Sequence, residues 1–265
     1  MKITIAGYGF VGKAINQVLS THNKITIVDP IFYPENKVYH SNPDAVILCV
    51  STPQADDGTC DMSNVFDVIQ DTPASIPILI KSTISLAGWE YIKETFPYHK
   101  ICFSPEFLRA DTAVEDFANM KYTVIGGEED NRKFWFDFFV VQVNLWMTET
   151  HAEVFQIHQC TVPEAITIKY AENSFLALKV SFFNQIHDFC GIIDADFEVV
   201  RELLCMDNRI NSDHSFVTNE RGWGGHCFPK DTSALLATAD AYGADLSVLR
   251  SAVEYNKKLE RDDNL

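Results

Sequence analysis

The sequence predicts an α/β chain: a doubly wound parallel sheet over residues 1–160, then a mostly helical domain over residues 161–265 with one long central helix. Three observations predict it. Short apolar runs alternate with helical stretches through the first half, the pattern of parallel strands joined by crossover helices. A glycine-rich turn, Gly7-Tyr8-Gly9-Phe10-Val11-Gly12, joins the first apolar run to the first helix. Beyond Pro163 the chain runs to Gly191 with neither glycine nor proline, which suits a single long helix.

Taken in order, strands are expected at 3–6, 24–28, 45–50, 78–81, 101–103 and 122–125, with helices at 11–19, 63–69, 88–95 and 131–139. Thr161-Val162-Pro163-Glu164 reads as a helix start: a capping Thr, a Pro in the first turn and a Glu three residues after the cap. The helix opened there is expected to run about 25 residues or more, above the usual length in globular proteins. Shorter helices follow at 197–206, 231–242 and 246–259.

With 265 residues, 46% of them hydrophobic, the chain can fill one large core or two smaller ones. Its net charge of −16 argues against nucleic acid or an anionic membrane as partner, so an anionic substrate would have to be held by local cations. The longest apolar region, 175–193, is broken by Lys179, Asn184, His187 and Asp188 and reads as a buried helix, not a membrane span. The opening run Met1-Lys2-Ile3-Thr4-Ile5-Ala6 is too short for a signal peptide. Seven cysteines without a CxxC pair or metal-ligand spacing suit reduced thiols in a cytoplasm, and no metal is expected.

The glycine turn has the spacing G-x-G-x-x-G between a strand and a helix, the context of a Rossmann-like dinucleotide site. Gly7 permits the tight turn, Gly9 lets backbone approach a pyrophosphate, and Gly12 allows close helix–strand packing. The helix N-terminus, with Tyr8, Phe10 and Val11 around it, then offers free N–H groups to phosphate. Asp29 ends the second strand, where a carboxylate accepts from ribose hydroxyls and repels a 2′-phosphate, favouring NAD over NADP. Val50-Ser51-Thr52-Pro53 and Lys81-Ser82-Thr83 close the third and fourth strands, the ends at which ligands sit in such sheets.

The second half holds Gly222-Trp223-Gly224-Gly225-His226-Cys227-Phe228-Pro229-Lys230-Asp231. Glycines allow close approach, and a cation and a helix N-terminus both favour thiolate at Cys227. A lone cysteine is more often a small core residue, a reading that the flanking glycines and charges weaken here. Lys169 and Asn173 stand four apart on the long helix and share a face, where they can donate to a developing alkoxide. Ser104-Pro105-Glu106-Phe107-Leu108-Arg109 follows the fifth strand, with Glu106 a candidate general base.

Together these segments, with Lys169-Tyr170-Ala171-Glu172-Asn173 and Asn208-Arg209-Ile210, resemble the UDP-glucose 6-dehydrogenase family, which includes GDP-mannose and UDP-N-acetylmannosamine dehydrogenases. The resemblance covers nearly the whole chain. It implies a four-electron oxidation of a nucleotide sugar at C6, using two NAD. The alcohol becomes an aldehyde, Cys227 adds to give a thiohemiacetal, a second hydride leaves to give a thioester, and water releases the carboxylate. By similarity, Lys169 and Asn173 stabilise oxyanions, Asp231 and Thr83 hold water or assist proton transfer, and Glu106 supports hydrolysis. The same resemblance assigns Gly7 to Gly12, Asp29, Val50 to Pro53, Thr83 and Lys230 to the cofactor. It assigns Phe107, Leu108, Arg109, Lys169, Asn173, Arg209 and Gly224 to the substrate, Arg209 often reaching it across a dimer.

Three departures stand out. Family members commonly carry a third domain that grips the nucleotide, and this chain stops at Leu265, so that surface is expected to be missing. Ala110 stands where many members have a second acid, and His226 replaces a small residue before the cysteine. Two other functions compete. A two-electron hydroxyacid dehydrogenase of the 6-phosphogluconate type shares the Lys-x-x-x-Asn pattern but has no need of Cys227. A non-catalytic NAD-binding protein needs none of the second-half residues. The apolar run from Phe175 to Phe183 also suggests a homodimer through the long helix at 162–190.

Overall fold

The computed structural model describes residues 1–55, 58–147, 155–225 and 227–262, so His226 lies outside the described residues. The chain divides into two compact units, Met1–Pro53 with Cys60–Lys169, and Gln54–Thr59 with Tyr170–Leu265.

The first unit is a seven-stranded sheet. Its strands are β1 (Lys2–Ala6), β2 (Lys24–Val28), β3 (Ala45–Leu48), β4 (Ile78–Ile80), β5 (Ile101–Phe103), β6 (Tyr122–Gly127) and β7 (Gln156–Cys160). Its helices are α1 (Phe10–Leu19), α2 (Val38–Ser41), α3 (Ser63–Asp71), α4 (Leu86–Thr95), α5 (Ala113–Ala118) and α6 (Glu129–Met147). Strand order is β2-β1-β3-β4-β5-β6-β7. The order reverses between β1 and β3, the switch point outside which ligands bind in such sheets. Every residue of β3, β4 and β5 is buried, as continuous apolar strands covered on both faces must be. Ile3, Ile5, Ile47, Leu79 and Ile125 meet Ala14, Ile15 and Leu19 of α1 and Trp135, Phe138 and Phe139 of α6 in one core.

The sheet departs from the all-parallel expectation at one place: β5 and β6 pair antiparallel, Cys102 opposite Gly127 and Phe103 opposite Gly126. The link between them carries α5, whose Ala113 and Phe117 join the core beneath α1, and the chain returns without a crossover. Gly127 has no room for a side chain, since a Cβ would lie 2.5 Å from the Cys102 sulfur.

The long helix α7 (Val162–Ile192) is 31 residues. Its start is the expected reciprocal cap: Thr161 N donates to Glu164 Oε2 at 2.7 Å and Glu164 N donates to Thr161 Oγ1 at 3.3 Å. In the second unit it is followed by α8 (Phe197–Cys205), α9 (Cys227–Tyr242) and α10 (Ser247–Asp262). Asp196 caps α8 by accepting from Glu198 N and Val199 N. The helix α9 opens at Cys227, four residues before the expected start at 231. Pro229 falls in its first turn, where the missing N–H costs nothing. Among the described residues, no helix is long and apolar enough to cross a membrane.

Candidate active site

In the first unit, the β1–α1 turn is built by its glycines. Gly7 has φ +95°, and a Cβ there would lie 2.5 Å from the Cys49 carbonyl. A Cβ on Gly12 would run into the Gly7 carbonyl oxygen. Packing within the protein therefore accounts for both. Gly9 differs: a Cβ there would meet nothing within 4 Å, so the protein's own atoms do not require glycine at this position. Gly9 is also the N-cap of α1, and no side chain caps that end. An open cradle over uncapped N–H groups fits the pyrophosphate of a dinucleotide.

Asp29 lies beside it, just past β2. Its Oδ2 accepts from Tyr8 N at 2.8 Å and its Oδ1 from Ile31 N at 2.9 Å and Phe32 N at 3.1 Å. Partial burial raises its pKa, but these three N–H groups and nearby Lys13 outweigh burial and leave it below the usual carboxylate range. It is thus a fixed anion with lone pairs to spare for ribose hydroxyls. Phe10 is exposed and Val11 half-buried on the first turn of α1. Beyond β3, Val50 O accepts from Ser82 Oγ at 2.6 Å, Ser51 O from Asn64 Nδ2 at 3.1 Å and Pro53 O from Asp61 N at 2.8 Å. Thr52 is buried and Thr83 half-buried at the ends of their strands.

A second group in this unit surrounds Glu106. Lys169 Nζ donates to the Glu106 carbonyl at 2.6 Å and to its Oε1 at 3.0 Å, while Leu108 N donates to Oε2 at 2.8 Å. Phe107 stacks its ring 5.7 Å from the Lys169 ammonium. Lys81, at the end of β4, completes the group: its buried Nζ donates to Ser104 Oγ at 3.1 Å and to the Pro105 carbonyl at 3.0 Å. Two lysines thus hold two successive carbonyls, and Glu106 stands beside both. Burial pushes Lys81 down to about 8, against the pull of the Glu106 charge. In the sequence Lys81 stands only as part of a strand end; its one local signal is a lysine closing the apolar run Ile78-Leu79-Ile80. Arg109, in contrast, is turned to Asp116, with NH2 to Oδ1 at 2.6 Å and Nε to Oδ2 at 3.1 Å.

In the second unit, Cys227 is the first residue of α9 and is half-buried. One turn on, the buried Asp231 accepts from Asn173 Nδ2 and from Lys230 Nζ, each at 2.5 Å. Asn173, Lys230 and Asp231 are thus brought together at the end of the helix that carries the thiol. In the first unit, burial pushes Cys49 and Cys102 up to about 12, which disfavours their thiolates. Gly224 meets nothing that a Cβ would strike. Arg209 is exposed and forked onto Asp207, Nε to Oδ1 at 3.0 Å and NH2 to Oδ2 at 2.5 Å.

A doubly wound sheet with an open glycine cradle and a fixed carboxylate after the second strand, followed by a helical unit with a thiol at a helix start, defines a two-unit dinucleotide-binding protein. The chain belongs to the UDP-glucose/GDP-mannose dehydrogenase family: the family's NAD binding domain matches residues 31–138 and its central domain residues 163–258. The UDP-glucose 6-dehydrogenase AglM of Haloferax volcanii is 31% identical over 243 residues, which cover 80% of this chain and 52% of that protein. The UDP-glucose 6-dehydrogenase of Rickettsia bellii is 33% identical, covering 82% and 50%. The chain spans about half the length of these curated relatives. In fold it is similar to a UDP-glucose dehydrogenase from Pyrobaculum islandicum (TM-score 0.80, 24% identity, 97% of this chain and 68% of that one). It is also similar to 3-hydroxyisobutyrate dehydrogenase from Mycobacterium tuberculosis (TM-score 0.73, 13% identity, 98% and 94%).

Proposed function

We propose that this chain oxidises a nucleotide sugar, UDP-glucose first among them, at C6 to the uronic acid in a four-electron, NAD-dependent reaction. The observation that carries the reading is Cys227 at the start of α9 with Asp231 one turn later, tied to Asn173 and Lys230. A binding module or a two-electron dehydrogenase has no use for a thiol so placed.

NAD, when bound, supplies the hydride acceptor for both oxidation steps. The residues that would hold it are the open backbone at Gly9, the uncapped start of α1 and the carboxylate of Asp29. The rest of the chemistry falls to side chains. The N–H groups of α9 and its dipole favour the Cys227 thiolate, which adds to the aldehyde formed in the first oxidation. Asn173 and Lys169, one helical turn apart on α7, donate to the oxygen that carries charge in each tetrahedral species. Asp231 keeps the Asn173 amide oriented and accepts a proton from water in the final hydrolysis, with Thr83 holding that water. Glu106, fixed by Lys169 and Leu108 N, supports the same step. Phe107, Leu108, Arg109, Arg209 and Gly224 are proposed to contact the sugar and its phosphates, which requires Arg109 and Arg209 to leave Asp116 and Asp207.

The domain division proposed for this function is 1–160 for the cofactor and 161–265 for the thiol and assembly. A homodimer through α7 belongs to the same proposal: Phe175, Phe182 and Phe189 are exposed at seven-residue spacing. Seven free thiols suit a reducing cytoplasm.

The test is a count. Purified protein is incubated with NAD and a panel of UDP- and GDP-sugars while NADH is followed. Two NADH per sugar, lost in Cys227→Ser, is the expected result. One NADH per substrate, insensitive to that substitution, would move the reading to a two-electron hydroxyacid oxidation, which the fold shared with 3-hydroxyisobutyrate dehydrogenase favours. No NADH from any sugar, with NAD still bound, would overturn the stand-alone enzyme.

A further inference from the structure

We infer that Asn184 of α7 and Asn256 of α10 are positioning residues that clamp the backbone leading into Cys227 and thereby set where the thiol stands. The inference deepens the proposed function, but its test does not depend on that function being right.

The loop before α9 has an unusual backbone. Arg221 has φ +54° and Gly222 φ +58°, two successive residues in the left-handed region. For a residue with a Cβ this costs about 1 kcal/mol or more, so surrounding contacts must hold it. Further on, Gly224 and Gly225 have empty space where a Cβ would be, so side-chain packing does not fix the chain there. The conformation has to be imposed at Arg221-Gly222-Trp223.

Two asparagines hold it, alongside Asp188, which takes the Arg221 guanidinium at 2.6 Å. Asn256 closes on Trp223 from both sides: its Oδ1 accepts from Trp223 N at 2.7 Å and its Nδ2 donates to Trp223 O at 2.8 Å. Asn184 Oδ1 accepts from Gly222 N at 3.2 Å and from Arg221 Nε at 2.9 Å, while its Nδ2 donates to Val180 O at 3.0 Å. Asn184 and Asn256 are only 1% and 3% exposed, so their amides are shielded from competing water. The Trp223 indole is fixed in turn by Ser181 Oγ at 2.9 Å, and its ring meets Phe228 edge-on at 6.5 Å. Trp223 and Phe228 therefore anchor the two flanks of the segment that contains Cys227. Gly222 is required by the same clamp, because a Cβ there would strike Asn256 Oδ1.

The consequence is chemical. The stabilisation that a helix start gives a thiolate falls off within one turn, so the acidity of Cys227 depends on its place at the head of α9. A loop released from its clamp lets the first turn of α9 fray, and with it goes the stabilisation of the thiolate.

The experiment is alkylation of the full chain by iodoacetamide from pH 5 to 10, with the rate at Cys227 read by peptide mass spectrometry. Buried Cys190, in the same unit, reports general loosening. Asn256→Leu and Asn184→Leu are expected to slow Cys227 alkylation at neutral pH about tenfold and move its midpoint upward, with Cys190 unchanged. Asn184→Asp keeps the one oxygen that accepts from Gly222 N and Arg221 Nε, losing only the bond to Val180 O, and is expected to return Cys227 to near the wild-type rate. If the leucine variants fail to fold, Gly222→Ala, which forces the clamp open, replaces them and is expected to behave as they do. Wild-type rate and midpoint at Cys227 in a folded Leu or Ala variant would overturn the inference. So would slowing that Asn184→Asp fails to rescue, or a change shared by Cys190. Loss of NADH formation with an unchanged Cys227 profile would count against the clamp alone; an altered profile in a protein that oxidises no sugar would count against the proposed reaction alone.

Discussion

Asp231 shows what single residues carry here. Its carboxylate is 1% exposed and accepts from Asn173 and Lys230, so its charge is compensated only while both stay. Asp231→Asn removes the charge and sets one amide against another. We expect a loss of about 2 kcal/mol or more in denaturant unfolding, since breaking a buried charged hydrogen bond leaves its partners unsatisfied. A free energy within a few tenths of wild type would show that the group contributes little to stability. Asp116 gives a pH-dependent counterpart. The hydrogen bonds from Arg109 hold its pKa down to about 2, against 3.8 ordinarily. A depressed carboxylate pKa contributes stability above the unfolded value and loses it as pH falls through the folded one. Wild type should therefore exceed Asp116→Asn by a constant amount above pH 5, and the gap should close between about pH 4 and pH 2. Arg109 is largely exposed, so the gap should be no more than about 1 kcal/mol. Acid unfolding curves of the two proteins that stay parallel down to pH 2 would contradict it. The string from Cys227 to Asp231 was legible in the sequence because its members are neighbours. Lys81, Asn184 and Asn256 were not, because each acts on residues more than 20 positions away: Lys81 on Pro105, Asn184 on Gly222, Asn256 on Trp223.

At the scale of elements, the same distinction between local and distant causes separates the elements that the sequence displays from those that it hides. The cap of α7, the helix α8 and the buried strands β3 to β5 have local signatures, and they stand where the sequence placed them. The strand β7 does not: it is a sheet edge whose residues alternate poorly and stay partly exposed, so its pattern is weak. Short α2 and α5 have too few turns to show a period. In the β1–α1 turn, Gly7 and Gly12 stand where the tight turn and the close packing require them, and the turn offers a paired test. Gly12→Ala drives a methyl into the Gly7 carbonyl and is expected to destabilise the first unit by about 3 kcal/mol, as overpacking against backbone does. Gly9→Ala meets no protein atom and should cost under about 1 kcal/mol, the ordinary effect at an N-cap. Its methyl, however, occupies the cradle, so NAD affinity should fall at least about tenfold. Thermal melts with calorimetric titration of NAD separate the two. Gly9→Ala that binds NAD as wild type does would show that the cofactor does not approach this backbone.

At the scale of the molecule, the exposed side of α7 is the feature that a single chain leaves unexplained. Phe175 is 64% exposed, Phe182 51% and Phe189 54%, with Ile192 at 81% further along. A seven-residue spacing drifts about 20° per heptad on a straight helix, so the three rings stay on one face. Covering half of a phenylalanine side chain is favourable by about 2 kcal/mol, and a second copy of α7 would cover three on each chain. Opposing this is the charge: two chains of −16 repel when brought together. The balance predicts a dimer that tightens with salt, since screening weakens the repulsion and leaves apolar burial intact. Light scattering coupled to size exclusion should report twice the 30.0 kDa chain mass, with the dissociation constant falling between about 0.05 and 0.5 M salt as the Debye length shrinks. Phe182→Glu places a charge at the centre of the stripe on both chains and should give a folded monomer at the same concentration. Because the family resemblance has Arg209 reaching the substrate across a dimer, that monomer should also lose sugar oxidation while still binding NAD. A wild-type monomer at every salt concentration, or a Phe182→Glu dimer, would remove α7 as the interface and with it the proposed role of Arg209 across it.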